Sequence, residues 1–161
     1  MQTLIKTSLA AALSLAAISP ALADEQIVVH SQAEMDQWQA DVTRNLDRRL
    51  EAAQHDTNVT PKSGIVQLRF TLDENGRAEN FQTLTSSGDR STDMVATRAV
   101  RRLGNLDDAP VANAEGQTYQ ANIIFADNMR EHDRLQAKLA KMESAHLARS
   151  ESEGKVVSFG L

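Results

Sequence analysis

"GIVQLRFTLDENGRAENFQTLTSSGDRSTDMVATRAVRRLG", residues 64–104, sets most of the architecture. From Gly64, the apolar Val66, Leu68, Phe70 and Leu72 alternate with Gln67, Arg69 and Thr71. That is the period of a strand with one buried face. Asp73-Glu74-Asn75-Gly76 comes next, residue types that accept positive φ, and predicts a tight hairpin. A second strand is expected over about 77–86. Ala78 and Phe81 stand three apart in it, which breaks the alternation and calls for a bulge or strong twist. After Ser86-Ser87-Gly88, a helix capped by Asp89 or Ser91 presents Val95, Ala96, Ala99, Val100 and Leu103 on one face. Gly104 stands where a left-handed C-cap belongs.

Downstream, residues 105–116 form a polar loop holding Pro110. A third strand then places Tyr119, Ala121, Ile123 and Phe125 on one face and Gln120, Asn122 and Ile124 on the other. From Met129 to about Ser150 the pattern is that of a charged helix with a narrow stripe of Leu135, Leu139 and Met142, too short for a coiled coil. Residues 154–161 read as a loose tail. Phe159 and Leu161 also fit the pattern of tails that PDZ domains capture, the alternative being a frayed terminus.

Upstream, Ser31-Gln32-Ala33-Glu34 is a capping box. Met35, Trp38, Val42, Leu46, Leu50 and Ala53 follow at spacings of three and four, one apolar stripe on a helix over about 32–54. At the very start, Lys6 precedes a short Ala/Leu-rich run from Ser8 to Ile18, then Pro20 and Ala21-Leu22-Ala23. This is the pattern of a secretory signal peptide cleaved between Ala23 and Asp24, and predicts export to the periplasm. The run is about half of the ~20 residues a membrane span needs, so no span is expected in the mature chain.

The division that follows is a signal peptide over 1–23, an N-terminal helix and connection over 24–63, a domain over 64–128, and a charged helix with a loose tail over 129–161. The order helix, strand, strand, helix, strand, helix predicts an α+β fold: a small three-stranded antiparallel sheet with helices on one face, plus N- and C-terminal helical extensions.

Composition narrows the function. The 161 residues carry a formal charge of −5, 4% aromatics and no cysteine. An acidic, aromatic-poor chain is a poor nucleic-acid binder, because phosphates need a basic surface and bases a stacking platform. His30, His55, His132 and His146 are scattered, with none of the spacings of a zinc site, so neither metal nor cofactor is assigned. Ser86 and Ser87 lack the G-x-S-x-G elbow, and the Walker pattern is missing, so no catalytic residue is assigned and the chain is not read as an enzyme.

The segment from Gly64 to Phe125 resembles the C-terminal domain of the TonB energy-transducer family. The matching positions are Gly64, Val66, Phe70, Asp73, Gly76, Arg77, Ser86, Ser87, Gly88, Ala96, Ala99, Val100, Pro110, Ile123 and Phe125. The resemblance implies that Gly76 and Ser86-Ser87-Gly88 are structural turns. It also implies that the last strand lies at a sheet edge and receives an extended segment of an outer-membrane receptor by β-augmentation. Carried over, that edge is Thr118, Tyr119, Gln120, Ala121, Asn122, Ile123, Ile124 and Phe125, with the chain's own residues 129–161 as the other candidate cover. A full transducer has a membrane anchor and a long Pro-rich spacer, whereas this chain holds three prolines. The implied role is therefore a soluble periplasmic protein-binding module linked to outer-membrane transport. The second reading is a structural or assembly protein that pairs with another copy of itself through its helices or its sheet edge.

Overall fold

The computed structural model describes residues 32–114, 116–147 and 156–160. The signal-peptide reading, with Ala23 and Asp24, and the Ser31 cap lie outside the described residues.

Helix α1 spans Gln32–Thr57 and buries Trp38, Val42, Leu46 and Ala53, with Met35 and Leu50 packed beside them. Its end is set locally. The Thr57 hydroxyl donates to the Ala53 carbonyl at 2.6 Å, Asn58 turns the chain at φ 51°, and Pro61 follows.

Strands β1 (Gly64–Leu72) and β2 (Ala78–Thr85) form the hairpin. Asp73 organises the turn, its carboxylate accepting from the amides of Asn75 and Arg77, each at 2.9 Å. Gly76 supplies the left-handed residue at φ 71°. The broken alternation of β2 has its cause: the β1–β2 register shifts between Arg69 and Thr71, where Asn80 sits at φ 51°.

Helix α2 spans Arg90–Arg101, and Asp89 is its N-cap, accepting from the Thr92 amide at 3.0 Å. Its C-terminus corrects the sequence reading. The cap is Arg102, and the left-handed residue is Asn105 at φ 62°, not Gly104. The last turn tightens into bonds from Arg102 to Ala99 and from Leu103 to Val100, which carry Leu103 into the core.

Strand β3 covers Thr118–Phe125, helix α3 Met129–Leu147, and strand β4 Val156–Phe159. The sheet order is β2-β1-β3-β4, with β4 parallel to β3 and the other pairs antiparallel. The sheet is therefore four-stranded and mixed rather than three-stranded and antiparallel, and residues 156–160 are not a loose tail.

The helices also sit differently from expectation, on both faces of the sheet. Val66, Leu68, Phe70, Tyr119, Ala121 and Ile123 join α1 and α2 in the main core. On the opposite face Ile65 packs with Leu135 and Leu139 of α3, with Ile124 and Met142 alongside. Ile65 on β1 and Ile124 on β3 lie on the face opposite the main core and give α3 its apolar contact with the sheet.

Candidate functional site

All eight residues Thr118–Phe125 lie in β3, and the structure places them inside the sheet. One side of β3 pairs with β1 from Tyr119 to Phe125. The other side pairs with β4 in the register Thr118–Val156, Tyr119–Val157, Gln120–Ser158 and Ala121–Phe159. Ile123, Ile124 and Phe125 have no strand on that outer side among the described residues. The outer edge of β3 thus accepts a short parallel strand, and here the chain supplies it.

The seat of β4 is built from three kinds of contact. Val157 and Phe159 point into the main core. The Phe159 ring meets Trp38 at 5.9 Å between centroids and Phe70 at 6.2 Å, both edge-on. Such tilted pairs satisfy the ring quadrupoles. Tyr119 stacks on Phe70 at 5.7 Å, which completes the wall. Two polar side chains of α1 then fasten the backbone: Gln39 Nε2 donates to the Ser158 carbonyl at 2.9 Å, and the Gly160 amide donates to Thr43 Oγ1 at 3.1 Å. At Gly160 the chain leaves β3 with φ 84°, and a Cβ there would stand 2.4 Å from the Asn122 carbonyl oxygen.

Burial in this wall pushes the Tyr119 hydroxyl up to about 12, with the Asp107 carboxylate adding to the effect. The neutral phenol donates to the Ala114 carbonyl at 3.2 Å.

The polar side chains of β3 are covered too. Gln120 and Asn122 are buried together with Gln67. Gln67 Nε2 donates to Asn122 Oδ1 at 3.0 Å and to Glu143 Oε1 at 2.6 Å. Gln120 Nε2 reaches the same two acceptors at 3.0 and 2.8 Å. Thr85 Oγ1 donates to Gln67 Oε1 at 2.7 Å, and Arg69 Nε to Gln120 Oε1 at 3.2 Å. These partners make burial of three side-chain amides tolerable. They also tie α3, through Glu143, to both central strands.

The turn Ser86-Ser87-Gly88 makes its bonds inward. The Gly88 amide donates to Ser86 Oγ at 3.0 Å and the Asp89 amide to Ser87 Oγ at 3.2 Å. Asp93 accepts from both hydroxyls and from the Ser87 amide. Gly88 adopts φ 89° with open space where a Cβ would stand, so conformation alone demands glycine there. Lys62 Nζ lies 2.8 Å from Asp89, and this ammonium with the Thr92 amide lowers the Asp89 carboxyl to about 2.

Other polar features are accounted for by their neighbours. Of the arginines at the C-terminal end of α2, the cap residue Arg102 pairs with Asp56 at 2.6 Å and Arg101 lies 5.1 Å over the Phe81 ring. An open hollow of about 1310 Å³ between α1 and the loop at Gly104–Pro110 is lined by charges of both signs, and Arg44 there donates to Asp41. Among the described residues, no three metal-ligating side chains converge. No described helix is long and apolar enough to cross a membrane.

The sequence reading missed β4. Its signal was faint but present: two valines and a phenylalanine, with Val157 and Phe159 two apart, ending at a glycine.

Hairpin, helix and third strand, with a further strand laid along the outer edge, define an α+β module with a four-stranded mixed sheet. Residues 60–126 match the family model of the Gram-negative bacterial TonB protein C-terminal domain. Domains of this family are periplasmic protein-interaction domains. The match covers less than half of the chain, and α1, α3 and β4 lie outside it. No curated protein and no solved structure is matched by this chain.

Proposed function

We propose that this protein is a periplasmic protein-binding module that receives an extended segment of a protein partner along the outer edge of β3, and that the partner is an outer-membrane receptor. One observation carries the reading: the Thr118–Ala121 edge holds a four-residue strand drawn from outside the family domain. An edge that forms a parallel ladder with one short segment offers the same backbone donors and acceptors to another. The secretory pattern at the N-terminus and the family's protein-interaction role support the compartment and the partner class. The role is binding rather than catalysis, and no cofactor enters it.

A photo-crosslinking residue at Thr118, a half-buried position where β3 begins, tests this in cells. The expected adduct is with an outer-membrane receptor, mapped to an extended stretch facing the periplasm. Adducts confined to the chain's own C-terminal strand would overturn the reading. Adducts joining two copies would do the same and favour self-assembly.

A further inference from the structure

We infer that the groove between β3 and α1 selects its strand by side chain, taking a β-branched aliphatic residue, any residue, then phenylalanine in parallel register with Tyr119, Gln120 and Ala121, and that Val157-Ser158-Phe159 is a stored copy which a partner segment of the same pattern displaces. This rests on the reading of β3 as the acceptor edge.

The selectivity follows from which side chains of β4 are enclosed. In a strand only alternate residues face one side. Val157 is 8% exposed and Phe159 3% exposed, and both enter the main core. Ser158 between them contributes its backbone: its carbonyl takes the Gln39 bond, so its side chain is not part of the code. The socket for the third position is aromatic on several sides, from Trp38 and Phe70, with the small Ala121 as its register partner. A flat ring fills that space with edge contacts, and a smaller side chain leaves it partly empty.

Displacement is built into the length of β4. It pairs with four residues of β3 and departs at Gly160, leaving the outer side of Ile123, Ile124 and Phe125 without a strand among the described residues. A longer incoming segment gains ladder bonds there that the stored copy does not make. Until it does so, the groove is open only in the fraction of molecules in which β4 is released, and apparent affinity falls by that fraction.

The test uses the full chain carrying Phe159→Ser and a fluorescent peptide with the sequence of residues 155–161. The variant is expected to bind this peptide at least ten-fold more tightly than the unaltered chain. A peptide with serine in place of its phenylalanine is expected to bind at least ten-fold more weakly. Because the chain has no cysteine, Thr118→Cys with Val156→Cys makes a unique reversible lock at paired positions. It keeps the test independent of whether Phe159→Ser folds, since the oxidised form is expected to bind at least ten-fold more weakly than the reduced. If both peptides bind alike and the lock blocks both, the side-chain pattern is wrong and the acceptor edge stands. If oxidation leaves binding unchanged, or no form binds either peptide, the acceptor-edge reading falls with it.

Discussion

The ring of Phe159 stands edge-on to the indole of Trp38, with centroids 5.9 Å apart and planes at 83°. The two residues lie near opposite ends of the described chain, outside the TonB-type domain that separates them. Their contact closes α1 and β4 over the outer edge of β3. Phe159→Ala is expected to cost about 3 kcal/mol, from lost burial and the cavity left behind. Trp38 is the only tryptophan. Urea unfolding followed by its fluorescence therefore reads both the lost stability and a red shift of the native emission. An unshifted native spectrum would mean that the ring does not seal this wall.

Glu143 is the one ionisable acceptor shared by Gln67 and Gln120. Glu143→Ala removes a partner from two buried amides and is expected to destabilise by about 1–3 kcal/mol. Glu143→Gln should recover part of this, because a neutral acceptor remains. Amide exchange should accelerate in α3 ahead of β1. Uniform acceleration through both would show that α3 does not release as a separate unit.

Tyr119 is the only tyrosine, so its ionisation is read directly by absorbance near 295 nm. Burial raises its folded pKa to about 12 against about 10 for an unperturbed tyrosine. The sign follows: the stabilising contribution is full below about pH 10 and is lost as the pH rises through 12. A native-state titration with its midpoint near 10 would mean that the hydroxyl is solvated.

Gly76 combines a positive φ with crowding, since a Cβ there would lie 2.7 Å from Asp107 Cγ. Gly76→Ala is expected to destabilise by more than the ~1–2 kcal/mol that a left-handed backbone alone costs. Adding Asp107→Gly should return the crowding part and leave the backbone part, as a double-mutant cycle in urea would show. Strict additivity would place Asp107 out of contact with the turn.

Much of this architecture was local and therefore legible. The β1 alternation, the Asp73–Gly76 turn, the α2 face and the β3 alternation each depend on neighbours within a few residues. The resemblance built on them pointed to the family that residues 60–126 match. The bulge at Asn80 was legible as broken periodicity. The Gly104 cap was misread because a single glycine cannot tell where a tightening last turn will end.

By itself the sequence determined the hairpin, α1 with its apolar stripe, α2, β3 and the residues of β3 that face the core. Period and turn chemistry act over short distances and need no partner. Only the tertiary structure decided that α3 lies on the far face of the sheet and that the edge of β3 is filled. The stripe of Leu135, Leu139 and Met142 says that α3 buries one side, not against which face. Ile65 and Ile124 settle that, together with the Gln67–Gln120–Glu143 network. A four-residue strand has too few residues to declare itself. Val156–Phe159 becomes a strand because β3 offers it unpaired backbone and Trp38 and Phe70 offer its phenylalanine a socket.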